Sequence, residues 1–106
     1  MRKFNHIGLP TDDKQPNETY VPATKVWVTA WDDHPYKVEF LRYEPDSPVS
    51  GPLRELPHMA FETDDLEAEL AGQEVLLEPF EPYAGLTVAS VLKDGAVFEF
   101  MMFAHE

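Results

Sequence analysis

The chain contains no cysteine. This excludes a disulfide framework, a thiolate zinc site and a cysteine nucleophile, and it leaves histidine and carboxylate as the available metal-binding chemistry. Basic residues are scarce: 8 Lys and Arg stand against 20 Asp and Glu, a formal charge of −12. Such a field repels phosphate backbones and anionic lipid, so neither nucleic acid nor a membrane surface is an expected partner. Long hydrophobic runs are missing as well. The longest, Phe100 to Ala104, covers five residues, against the roughly 20 that span a bilayer. Met1-Arg2-Lys3 leads into Phe4-Asn5-His6 without the apolar core of a signal peptide, and a cytoplasmic location is the default expectation. Pro and Gly together make 15 of 106 residues, below the roughly 25–30% that marks low complexity.

What is present suits one domain. At 106 residues and 43% hydrophobic content, the fold should bury a little over about 60% of the unfolded surface, with no room for a second core. Charge divides the chain unevenly: residues 1–50 hold 6 basic and 8 acidic groups (net −2), residues 51–106 hold 2 and 12 (net −10). Pro45, Pro48, Gly51, Pro52 and Pro57 punctuate the stretch between, because proline removes a donor and fixes φ. The domain 1–106 therefore reads as module one (1–48), an irregular connection (45–57) and module two (56–106).

Strand signals dominate. Lys3 to Leu9 is extended and ends at Pro10; residues 10–22 read as loop; Thr24–Trp31 and Tyr36–Glu44 read as a hairpin. In module two, His58–Glu62 reads as a strand and Asp64–Ala71 as a short surface helix capped by Thr63 or Asp64 and stopped by Gly72. Glu74–Glu78, a loop containing Pro79, Leu86–Lys93, an Asp94-Gly95 turn and Ala96–Phe103 follow. The order is strand, helix, strand, strand, strand.

Module one repeats this order weakly. Phe4-Asn5-His6-Ile7-Gly8 aligns with Leu56-Pro57-His58-Met59-Ala60, and Lys37-Val38-Glu39-Phe40-Leu41 with Val97-Phe98-Glu99-Phe100-Met101. His6 and Glu39 are 33 residues apart, His58 and Glu99 are 41 apart. The deficit falls between Leu9 and Thr24, which lacks a helical pattern and is too short for both a helix and a strand.

Glu99 is the most informative position. Its strand is apolar on both parities, so it should be covered on both faces, and a buried carboxylate needs a hydrogen bond, a counter-charge or a metal. His6, His58 and Glu39 are the matching groups of the repeat. Two imidazoles and two carboxylates suit an octahedral divalent ion with two positions left open, a catalytic rather than a structural arrangement. The bland alternatives are ordinary hydrogen-bonded strand histidines, and a surface ion pair of Glu39 with the flanking Lys37 or Arg42. Glu44 is a weaker substitute ligand. Trp27 and Trp31 read as core, or else as the wall for a flat ligand. Leu41 and Tyr43 beside Glu39, and Val97, Met101 and Phe103 beside Glu99, would line an apolar cleft. His34 and His105 read as solvated, and the acidic run Glu62–Glu69 as a helix start without calcium-loop spacing.

These residues resemble the vicinal oxygen chelate (glyoxalase, bleomycin-resistance and dioxygenase) superfamily: Phe4-Asn5-His6-Ile7-Gly8-Leu9-Pro10, Pro57-His58-Met59-Ala60-Phe61-Glu62-Thr63-Asp64-Asp65-Leu66-Glu67 and Asp94-Gly95-Ala96-Val97-Phe98-Glu99-Phe100. The resemblance implies an α+β fold of paired βαβββ modules in a curled mixed sheet around a cleft, here with module one shortened. It implies a divalent ion (Ni, Co, Mn, Fe or Zn) held by His6, Glu39, His58 and Glu99. It further implies a lyase or isomerase of the glyoxalase type acting on a small 2-oxo or 2-hydroxy compound through a metal-stabilised enediolate, with Glu99 as base and Glu39 second. Arg42 and Arg54 are expected as carboxylate clamps, with Tyr43 and Met101 against the substrate. The alternatives are an extradiol-type dioxygenase using His6, His58 and Glu99, and a metal-free binding protein of the bleomycin-resistance kind. A homodimer is expected, because a three-strand first module would leave apolar sheet uncovered.

Overall fold

The computed structural model describes residues 2–104. Its eleven elements run β1 (Lys3–Pro10), β2 (Thr19–Val21), β3 (Val26–Val28), a 3-10 turn (Trp31–Asp33), β4 (Val38–Tyr43), α1 (Pro52–Glu55), β5 (His58–Glu62), α2 (Leu66–Leu70), β6 (Glu74–Tyr83), β7 (Leu86–Lys93) and β8 (Ala96–Phe103). All eight strands join one mixed sheet in the order β2-β3-β4-β1-β5-β8-β7-β6. Read from either edge toward the centre the two modules match: β1 pairs with β4 in parallel, β5 with β8 in parallel, and β1 meets β5 antiparallel. The fold is thus α+β with a curled mixed sheet, and the module boundary is the central strand pair.

The sequence expectations need four corrections. Module one has four strands rather than three, because residues 10–22, expected as loop, contain β2, which pairs with β3 through Thr19↔Val28 to Val21↔Val26. The uncovered sheet on which self-association was argued is therefore smaller than supposed. Residues 45–57 are not wholly irregular: Pro52 starts α1 at a position whose missing N–H costs nothing. The strand β6 continues through Pro79 and Pro82 to Tyr83, with three register shifts against β7. Prolines are tolerated there because β6 is an edge strand with one unpaired side. The cap of α2 is Asp65, whose carboxylate accepts from the Ala68 amide at 3.0 Å, while the Thr63 hydroxyl accepts from the Asp65 amide.

Burial follows from these pairings. Helix α2 buries Leu66 against Ala89, Val91 and Phe100 on the outer face of the sheet. On the inner face Ala60, Val88 and Met101 form a second cluster, against which Trp31, Phe80 and Leu86 pack. Strand β8 is accordingly covered on both sides, as its double-parity apolar pattern requires. Asp94 and Gly95 both have positive φ (53° and 77°), the geometry of a tight β7–β8 turn. Among the described residues no helix is long and apolar enough to cross a membrane. His105 lies outside the described residues.

Candidate metal centre

Strand register brings four side chains together. Gly8 stands opposite Glu39 on one neighbouring strand and His58 on the other; Ala60 stands opposite His6 on one side and Glu99 on the other. The two rows are two residues apart along β1, so all four side chains share the inner face. Each His and Glu pair is separated by a strand whose residue is Gly or Ala, and the long side chains lean across that small residue until they meet.

The contacts are tight. Nε2 of His6 lies 3.5 Å from Glu39 Oε1 and 3.7 Å from Glu99 Oε2, and Nε2 of His58 lies 3.8 Å from Glu39 Oε1 and 3.8 Å from Glu99 Oε1. Glu39 therefore faces both rings with a single oxygen, whereas Glu99 offers one oxygen to each. Both Nε2 atoms are buried without a hydrogen-bond partner, an exceptional state for buried polar atoms. Donors sharing one ion at about 2.0–2.2 Å stand roughly 2.9–3.6 Å apart; the His6–Glu39 spacing of 3.5 Å falls within that range, and the other three, at 3.7–3.8 Å, lie just beyond it, so a bound ion would draw the four groups slightly inward. His6, Glu39 and His58 alone place three donor atoms within 4.8 Å of one another. The residues fit a divalent ion in chemistry and in spacing.

Two further features hold the rings. A Cβ on Gly8 would fall 2.0 Å from Cε1 and 2.4 Å from Nε2 of His58, so the imidazole occupies the volume that any other residue at position 8 would fill. His6 is sandwiched differently: its ring stacks on Trp31 at 5.4 Å and 8°, and its Nδ1 lies 2.7 Å from Asn5 Oδ1. The Asn5 amide nitrogen in turn donates to Glu62 Oε2 at 2.8 Å.

The electrostatics reflect two carboxylates facing an enclosed space. Burial raises Glu39 from its ordinary 4.5 to about 7, against the opposing pull of His58. Burial likewise raises Glu99, with Glu39 adding to the shift and the two histidines opposing it. His6 is lowered, because burial disfavours the imidazolium more than Glu99 favours it. Tyr43 is raised by burial and by both carboxylates.

The cluster lies in a cavity of about 100 Å³, with Leu41, Tyr43, Val88 and Met101 among its walls. A larger recess of about 400 Å³ shares Trp31, Glu39, Tyr83 and Leu86 with it. Tyr43 and Met101 line the cavity, and Trp31 is a cavity wall rather than simple core. Val97 is fully buried and Phe103 borders the outer recess.

The proposed clamps are placed elsewhere. Arg42 projects from the opposite face of β4, paired with Glu18 at 2.7 and 2.9 Å and lying over the Trp27 ring. Alternation explains it, since Arg42 is an odd number of residues from Glu39 along one strand. Arg54 lies behind Tyr43, 5.5 Å from its ring centre, and donates to the Glu44 carbonyl. Among the described residues that line the cavity none is Lys or Arg. Glu44, the substitute ligand, instead accepts from Trp27 Nε1 at 2.8 Å. The Glu39 surface ion pair is likewise not formed with Arg42, which is committed to Glu18. Sequence reading missed Asn5, Gly8 and Ala60, and also Ser90, which is buried in the cavity wall; an isolated glycine within a strand was the one available signal, since it marks a close approach.

No family model matches the chain and no curated protein matches it. Among solved structures the fold is similar to the crystal structure of a hypothetical protein, BH1468, from Bacillus halodurans C-125. The TM-score is 0.69 at 18% identity, covering 99% of this chain and 96% of that one. At that identity the likeness is one of fold.

Proposed function

We propose that the chain is a member of the vicinal oxygen chelate superfamily whose site holds one divalent ion and acts as a lyase or isomerase on a small compound with adjacent oxygens. One observation carries this reading: two orphaned, buried imidazole nitrogens face two carboxylates, and the four groups come from equivalent positions of two modules. Bound there, a divalent ion would supply positive charge to draw two vicinal oxygens and to stabilise negative charge developing on them.

The chain's own residues supply the rest. His6, His58 and Glu39 hold the ion, and Glu99 moves the proton. Glu99 suits that task because its two oxygens face different rings, so that one can take a proton while the other stays in place, and burial has already raised its proton affinity. Glu39 is the second choice. Apolar side chains, Leu41, Val88 and Met101 among them, line the space around both. With no Lys or Arg lining the cavity, the substrate is a neutral 2-oxo or 2-hydroxy compound rather than a carboxylate or a glutathione adduct. The inward carboxylates also favour a second reading, a metal-free pocket for a small cation.

Elemental analysis of protein purified without chelator separates the two. About one divalent ion per chain in the wild type, and none in His58→Ala with an unchanged circular dichroism spectrum, is the expected result. Absence of metal together with no thermal shift on adding Ni, Co, Mn, Fe or Zn removes the enzyme reading and leaves the cation pocket.

A further inference from the structure

We infer that Asn5, oriented by Glu62, is a positioning residue that sets His6 in the Nδ1–H tautomer and thereby keeps the bare Nε2 aimed at the centre of the site. The tautomer assignment stands for the metal-free protein; its consequence for metal affinity rests on the metal reading above.

The device begins with a backbone irregularity. The β1–β5 register shifts between Phe4↔Phe61 and His6↔Ala60, leaving Asn5 as the extra residue of a bulge. In an unbroken strand consecutive side chains point to opposite faces, and Asn5 could not reach its neighbour's ring. The bulge turns both inward, and both are buried, Asn5 at 7% and His6 at 1% exposure.

Polarity then passes along the chain of contacts. The Glu62 carboxylate only accepts hydrogen bonds, so the end of the Asn5 amide that faces it at 2.8 Å is the NH2 group. The other end, 2.7 Å from His6 Nδ1, is therefore the carbonyl oxygen, which also only accepts. Nδ1 must carry the hydrogen, and a neutral imidazole then has none left for Nε2. The contact works against a real competitor. Glu39 and Glu99 lie 3.5 and 3.7 Å from Nε2, and without Asn5 they would draw the hydrogen to that nitrogen, where it blocks coordination. His58 has no such partner on its N-terminal side, because the equivalent residue is Pro57.

Nitrogen and carbon NMR of the histidine rings in the metal-free full chain, at a pH where His6 is neutral, reads the tautomer directly. Titration with Zn²⁺ on the same samples reads its consequence. The wild type should show Nδ1–H. Glu62→Gln should keep it, because an amide oxygen still accepts from Asn5. Glu62→Lys should turn the Asn5 amide round and convert His6 to Nε2–H, and Asn5→Leu should release the ring to the same tautomer. Zn²⁺ affinity should fall about 10–100-fold in Glu62→Lys and Asn5→Leu, the range for loss of an outer contact to a ligand, and stay within about threefold in Glu62→Gln. A merely structural Asn5 would lower thermal stability and leave the tautomer alone. Nε2–H in the wild type, or Nδ1–H retained in Glu62→Lys and Asn5→Leu, overturns the inference. Nδ1–H in the wild type with no Zn²⁺ uptake would sustain the tautomer and overturn the metal reading instead.

Discussion

His6 and His58 occupy equivalent places on β1 and β5, and different physics holds each. His6 is oriented by a hydrogen bond: a bulge presents Asn5 to Nδ1, and Trp31 stacks on the ring. His58 follows Pro57, which offers no side-chain donor or acceptor, and its ring is seated in the space left by the absent Cβ of Gly8. The small residue opposite His6 is Ala60, fully buried, whose methyl packs with Val88 and Met101. The modules differ in the same way at larger scale. Module two carries an α-helix and strands of ten and eight residues (β6, β7), where the described residues of module one hold a 3-10 turn but no α-helix, and two strands of three (β2, β3). The lesson is that a repeated site needs matching strand register, which both modules keep, and not matching periphery. The register of four central strands carries the donors, and the outer strands are free to shorten.

The largest expected effect tests the steric half of that comparison. Gly8→Ala places a methyl where the His58 ring lies; the ring must swing out, and metal affinity by titration should fall by more than the about 10–100-fold that loss of an outer contact to a ligand costs. In the His58→Ala background the same substitution should add almost nothing, a coupling that a double-mutant cycle measures. The mirror substitution, Ala60→Gly, should leave metal uptake in place and cost about 1 kcal/mol in denaturant unfolding, for the lost methyl and the freer backbone.

A smaller effect distinguishes the carboxylates from the imidazoles. Glu39 is raised in the folded state to about 7 from 4.5, so its contribution is fully present below the unfolded value and is lost as pH rises through the folded one. Glu99, also raised, acts in the same direction. His6, lowered, acts in the opposite one, losing stability as pH falls from 6.5 toward its depressed value. With two carboxylates against one imidazole, the melting temperature of the metal-free protein should decline as pH is raised from about 4.5 to about 7, the interval between the unfolded and folded values of Glu39. A divalent ion should cancel the decline, and Glu39→Gln should flatten it. A melting temperature that climbs over the same interval in metal-free protein contradicts the assignment.

The smallest effect concerns the periphery. Asp65→Ala removes the cap of α2, which only module two possesses; about 1 kcal/mol of stability should be lost with metal affinity unchanged. A change in affinity would mean that the helix does more than cover the outer face.

Much of this was legible in the linear chain. The paired His and Glu positions, the double-sided burial of β8, and the Asp94-Gly95 turn follow from side-chain periodicity and turn chemistry, which are local. Boundaries were less legible where sheet position overrides propensity. Pro79 and Pro82 argue against a strand, yet β6 passes through both because an edge needs only one row of hydrogen bonds. The three residues of β2 carry too weak a pattern to separate from loop until β3 is beside them.

Residue types and spacing by themselves singled out the two His and two Glu that the folded sheet brings together. Only the tertiary structure decided what surrounds them. Alternation alone puts Arg42 on the face opposite Glu39, but that it meets Trp27 there was decided by the β3–β4 register. Asn5 was an ordinary strand residue until a bulge turned it toward His6. Gly8 became necessary only once antiparallel pairing set His58 against it. Periodicity reports which face of its own strand a residue occupies; which side chain it meets there is set by register between strands far apart in sequence, and that is a property of the folded sheet.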